Sequence, residues 1–184
     1  MDKELFLYLN GMGVPKWDGF WLYLSRTLSF VTLPLYAGLL VLSLKTLGLK
    51  KTGVLVLTVA LLITATDQLS NFFKYGFARL RPCYEDDMLA RMRLVKGYCG
   101  GKYSFFSAHA ANSVALASFF AFLLGSRLKW LPFLILGWAI FVSYSRIYIG
   151  VHYPLDVLTG IGIGLLFGWV FAKLYIFAQL KIKA

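Results

Sequence analysis

Charge is scarce in this chain, and negative charge is scarcest: of 184 residues 15% are charged, with 8 Asp and Glu against 19 Lys and Arg. Soluble domains average about 25% charged residues. A chain that is 59% hydrophobic and 17% aromatic, with a positive mean hydropathy, therefore has lipid as its main solvent. Histidine and cysteine occur only twice each, and neither they nor the carboxylates form a set with metal-ligand spacing. The sequence thus implies no metal and no cofactor. Internal repeats and low-complexity tracts are absent as well. The first residues, Met1-Asp2-Lys3-Glu4, lack the pattern of a cleavable signal peptide, so the first long apolar run is expected to target the membrane. Although the net charge is +11, the basic residues punctuate apolar runs instead of gathering on one patch, which argues against a nucleic-acid partner.

What is present is a series of apolar runs near the length of about 20 residues that a helix needs to cross a bilayer core. Five stand out: between Arg26 and Lys45, from Gly53 to about Phe73, between Lys102 and Arg127, from Lys129 to Arg146, and from about Pro154 to Phe177. Residues 1–25 mix Lys3, Glu4, Lys16 and Asp18 with Leu5, Phe6, Trp17, Phe20 and Trp21, a composition that suits an interfacial helix with aromatic anchors. A sixth crossing there is the competing reading. The expected fold class is all-α, a polytopic membrane helix bundle of five to six transmembrane helices with an interfacial N-terminal helix, built from residues 1–184 as one membrane-embedded domain. Only the connection from about Leu80 to Tyr103 is long and polar.

Because consecutive crossings alternate in direction, the end of the second run, the start of the third, the end of the fourth and the start of the fifth share one side. Chemistry-bearing residues gather there: Lys74 and Arg81, then Ser107, Ala108 and His109, then Arg146, His152 and Asp156. Ionisable groups near membrane depth are costly enough to be candidates for function. Three cations suit a phosphoryl group, whose transfer depends on positioning and on stabilising charge on its oxygens. Arginine contributes bidentate contacts and Lys74 a point charge. Asp156 follows His152 by one helical turn, so it can hold and charge-stabilise that imidazole. Pro154 fits a first helical position.

In order, the segments are Lys74-x6-Arg81-Pro82, Phe106-Ser107-Ala108-His109 and Ser145-Arg146-x5-His152-x3-Asp156. This pattern resembles the type 2 phosphatidic acid phosphatase (PAP2) superfamily, whose motifs are K-x6-R-P, P-S-G-H and S-R-x5-H-x3-D. The first and third match in spacing; in the second, Phe106 and Ala108 stand where the superfamily has proline and glycine. The resemblance implies that His152 attacks phosphorus to form a phosphohistidine and that His109 protonates the departing lipid oxygen. It also implies that Lys74, Arg81, Ser107, the backbone at Ala108 and Arg146 hold the phosphate. A lipid phosphate is then the substrate. Undecaprenyl diphosphate is the slight favourite, with lipid A, phosphatidylglycerol phosphate and phosphatidate as alternatives. A membrane protein that binds or transports an anion without hydrolysing it is the contrasting class, and the paired histidines argue against it.

Opposite the motifs lie Lys45, Lys50, Lys51, Arg127, Lys129, Lys173, Lys181 and Lys183 with no acidic residue. Short basic loops favour the cytoplasm. The expected location is a bacterial inner membrane with the site on the periplasmic or outer face, where Cys83 and Cys99 could form a disulfide beside the pocket. Asp67 and Asn71 share a helix face with Lys74, and Asp67 is expected to pair with a basic residue. The Gly160-Ile-Gly-Ile-Gly164 spacing permits close helix approach without assigning an oligomeric state.

Overall fold

The computed structural model describes residues 1–27, 29, 30 and 32–183. Leu28 and Val31 of the first apolar run, Ala184, and the side chains of Ile182 and Lys183 lie outside the described residues. Helices α1 (Asp2–Gly11), α2 (Pro15–Leu24), α3 (Thr32–Leu47), α4 (Leu49–Phe77), α5 (Asp86–Leu89), α6 (Ala108–Leu124), α7 (Leu131–Tyr148) and α8 (Pro154–Lys183) follow in order. The five apolar runs are α3, α4, α6, α7 and α8. By length and composition α4, α7 and α8 can each cross a membrane, while α3 and α6 are shorter apolar helices.

The expected N-terminal helix is two helices, broken where Gly11, Gly13 and Pro15 cluster. Each has 10 residues, about 15 Å of helix, too short for the sixth crossing. Both dock on the bundle end. Asn10, fully buried, donates to the carbonyls of Ile147 and Tyr148, at 3.2 and 2.9 Å. Both carbonyls lie at the end of α7, where intrahelical donors run out; that of Ile147 also accepts from the Gly150 N–H at 3.1 Å. Phe6, also fully buried, meets the Tyr153 ring edge-on with centroids 5.4 Å apart.

Helix α6 is the centre. It is apolar on all sides because α4, α7 and α8 surround it. Its tightest partner is α8, and the two run parallel: Gly160 lies over Ser107 and Ala110, Gly164 over Ala111 and Val114, and Gly168 over Ala115 and Ser118. A Cβ at Gly160, Gly164 or Gly168 would sit 2.7, 2.6 or 2.7 Å from the carbonyl oxygens of Ser107, Ala111 and Ala115, closer than side-chain carbons come. The small-residue stripe thus serves packing inside the chain. Helix α4 crosses α6 in the opposite direction, tied by the Ser70 hydroxyl to the Phe106 carbonyl at 3.1 Å.

Gly164→Leu should force α6 and α8 apart and destabilise the protein by about 1–3 kcal/mol. Gly162→Leu, where an added Cβ meets nothing within 4 Å, should leave stability near wild type. Thermal unfolding in detergent compares them, and equal melting temperatures would contradict the packing role.

Candidate active site

Four helix ends and one loop converge at the α1 side of the bundle. Lys74 is in the last turn of α4, which stops at Ala78 in the left-handed region, φ 48°. The chain then runs beside residues 102–104, joined by Arg81 N–H to Lys102 carbonyl at 3.1 Å and Ser104 N–H to Arg79 carbonyl at 2.8 Å. Arg81 is aimed by the loop: Nε donates to the Tyr103 carbonyl at 3.1 Å and a terminal nitrogen to the Cys99 carbonyl at 2.7 Å. Cys99 is paired with Cys83, their Cα atoms 6.1 Å apart, within the span of a disulfide. The pair therefore closes the loop that positions Arg81. Gly100, at φ +80°, lies against Arg81, where a Cβ would come within 3.2 Å of the guanidinium.

Ser107 is the N-cap of α6 and is fully buried, its Oγ accepting from the Ala110 N–H at 3.4 Å. Ala108 begins the helix with ordinary helical backbone, so the glycine of the resembling pattern is not needed for conformation. The first N–H groups of α6 point from a helix N-terminus, a favourable place for an anion. Phe106, in the proline position, is fully buried against Phe73 with centroids 5.6 Å apart.

Between α7 and α8 the chain turns at Gly150, φ +86°, where a Cβ would strike the Arg93 carbonyl at 2.6 Å. The Arg146 carbonyl accepts from the N–H groups of Val151 and His152 at 3.1 and 3.3 Å, which fixes His152 against the end of α7. Arg146 is 4% exposed, and its guanidinium is held by the Ser25 hydroxyl at the end of α2. Asp156 is fully buried: it accepts from the Tyr153 N–H at 2.9 Å, and Oδ2 lies 3.6 Å from His152 Nδ1. Its backbone carbonyl accepts from Ser107 N–H at 3.0 Å, joining the second and third motifs directly.

Lys74, Arg81, Ala108, His109, Arg146 and His152 line one cavity of about 800 Å³. Ser107 and Asp156 stand behind that wall. Burial, with Arg81, Arg146 and Lys74 nearby, holds the His152 imidazole well below its ordinary pKa, so it is neutral at physiological pH. Desolvation likewise lowers the Arg81 guanidinium. Among the described residues no group of three or more His, Cys, Asp or Glu side chains is placed to hold a metal ion. The cavity continues from this polar end into an apolar slot along α4 and α3, past Ile63, Val59, Leu55 and Leu39. From Lys74 to Leu55 the α4 wall rises about 29 Å at 1.5 Å per residue, close to a whole hydrocarbon core.

One expectation changes. Among the described residues Asp67 closes no salt bridge: it acts on the Lys74 ammonium only through space, and its direct partner is the Asn112 amide, which donates to it at 2.8 Å, because α6 presents that amide at the same depth. Arg79, which has no place in the K-x6-R-P spacing, bridges Asp156 at 2.9 Å and Asp2 at 2.5 Å and lies 4.2 Å from the Tyr153 ring centroid. Asp2 in turn accepts from Leu155 N–H at 3.0 Å. Helix α1 and Arg79 thus clamp the carboxylate behind His152. Ser25, Asn10 and Asp2 carried no sequence signal, since their partners are more than 70 residues away.

Removing this clamp should loosen Asp156 and lower turnover. Arg79→Leu is expected to reduce kcat on the order of tenfold or more, a barrier change of about 1.4 kcal/mol, with a smaller change in KM. Steady-state kinetics check this, and an unchanged kcat would show that Arg79 does not position the site.

The profile of the PAP2 superfamily matches residues 53–179 of this chain. Lipid A 4'-phosphatases of Bacteroides thetaiotaomicron and Porphyromonas gingivalis are 39% and 38% identical, over 93% and 97% of this chain and 75% of each of those proteins. An undecaprenyl-diphosphatase of Sulfolobus acidocaldarius is 30% identical over 86% of this chain and 71% of its own length. The crystal structure of Aquifex aeolicus LpxE superposes with a TM-score of 0.66 at 27% identity, covering 92% of this chain and 93% of that one. The helical membrane fold, the converging motif residues and these similarities agree: the chain belongs to the PAP2 superfamily and is a membrane lipid phosphatase.

Proposed function

We propose that this chain removes a phosphate from lipid A at the outer face of a bacterial inner membrane, without a metal ion, through a phosphohistidine at His152. The observation that carries the lipid part is the continuous cavity, in which a cationic pocket opens into an apolar slot along α4. A lipid can leave its chains in that slot while its phosphate meets the cations. Similarity to two lipid A 4'-phosphatases over nearly the whole chain supports lipid A ahead of the expected favourite, undecaprenyl diphosphate.

The geometry supports the following steps. Lys74, Arg81, Arg146 and the N-terminal amides of α6 offset charge on the phosphate oxygens. His152 is neutral, and its Nδ1 faces Asp156, which leaves Nε2 to attack phosphorus. As the N–P bond forms, the bond from phosphorus to the lipid oxygen breaks, and His109 delivers a proton to that oxygen. Asp156 stabilises the imidazole as it becomes positive. Water then attacks the phosphohistidine, giving its proton to His109, and inorganic phosphate leaves with His152 neutral again. Basic residues at the far end, such as Lys45, Lys50 and Arg127, support placing that end in the cytoplasm.

Purified protein in detergent should release phosphate from lipid A faster than from undecaprenyl diphosphate or phosphatidylglycerol phosphate, with chelator making no difference. His152→Ala should abolish release, a loss of at least about 10⁴-fold, while folding normally. A preference for undecaprenyl diphosphate would reject the lipid A assignment, and inhibition by chelator would reject the metal-free route.

A further inference from the structure

Part way down the cavity wall, between the cations and the apolar slot, is a polar step that phosphate hydrolysis does not use. Asp67 precedes Lys74 by seven residues, which places it about 10 Å deeper along α4. Asp67, Asn71 and Asn112 all line the cavity there. The Asn112 amide is fixed in orientation: Nδ2 donates to Asp67 Oδ1 at 2.8 Å, and Oδ1 accepts from the Thr66 hydroxyl. Lys74 acts on Asp67 only through space, and among the described residues Asp67 closes no salt bridge and its Oδ2 accepts no hydrogen bond. Immediately below, the walls become Ile63, Val59 and Leu116.

A carboxylate facing an apolar groove is costly unless it receives a hydrogen bond. A prenyl phosphate has only hydrocarbon beyond its phosphate and would strip water from Asp67 without replacing it. An acylated amino-sugar phosphate carries hydroxyl and amide N–H donors between phosphate and chains, at the level of this step. Sites built to bond such a donor discriminate strongly against analogues that lack it.

We infer that Asp67, oriented by Asn112, is a specificity subsite that accepts a hydrogen bond from a hydroxyl or amide N–H of an acylated sugar phosphate. This rests on the lipid phosphatase reading given above and narrows its substrate class. The test measures kcat/KM of wild type and Asp67→Leu on lipid A and on phosphatidate, whose polar groups beyond the phosphate are ester acceptors. Asp67→Leu should lower the preference for lipid A at least tenfold, mainly through KM, and Asp67→Asn, which can still accept, should restore part of it. An unchanged preference, whether both activities fall together or neither moves, would overturn the subsite. Binding of the same two lipids to His152→Ala protein, with and without Asp67→Leu, is followed by native mass spectrometry. If wild type hydrolyses neither lipid, the phosphatase reading fails; loss of lipid A selectivity in binding would still uphold the subsite, and unchanged selectivity would overturn it.

Discussion

The close parallel contact of α6 with α8 is the constraint on which the site depends. Where glycine replaces side chains at residues 160, 164 and 168, the α8 backbone approaches the carbonyls of α6. That approach brings the start of α8 to the start of α6, so Ser107 N–H reaches the Asp156 carbonyl at 3.0 Å. Within lipid there is little hydrophobic drive between helices, and small residues that allow dense packing supply much of the association. Here the contact also fixes chemistry, since the residues at the two helix starts include His109, His152 and Asp156.

With that axis set, the other elements contribute one constraint each. The Gly150 turn presses His152 against the end of α7, the loop closed by Cys83 and Cys99 aims Arg81, and α2 holds Arg146 through Ser25. Each guanidinium is anchored by neutral groups, Arg81 by carbonyls and Arg146 by a hydroxyl. Among the described residues neither closes a salt bridge with a carboxylate, and Asp156 acts on Arg81 only through space. The carboxylate nearest His152 is instead engaged by Arg79. This division leaves a cationic pocket with a neutral imidazole at His152, an arrangement suited to a phosphate.

Much of this was legible in the sequence, because the cost of placing polar groups in lipid makes apolar runs long and their ends conspicuous. The five runs became α3, α4, α6, α7 and α8, and the alternation of their directions brought Lys74, Arg81, Ala108, His109, Arg146 and His152 to one cavity. The N-terminal residues were harder. Their mixed composition suited an interface, but Asn10 and Asp2 act through contacts with residues far along the chain, for which no periodicity exists. Arg79 differed from Arg81 only in its register on the loop. Asp67 illustrates another limit: a basic partner and an amide both satisfy a carboxylate, and only the facing residue of α6 decides between them.

The convergence of these helix ends supports His152 as the nucleophile whose nitrogen lone pair attacks phosphorus. Rapid acid-free quenching of the protein during turnover of lipid labelled with ³²P in its phosphate, followed by peptide mapping, tests it directly. Transient label is expected on the peptide containing His152, stable to alkali and lost in acid as a phosphoramidate is. Alkali-labile label on the peptide at Asp156, or turnover with no labelled protein at any time point, would contradict it.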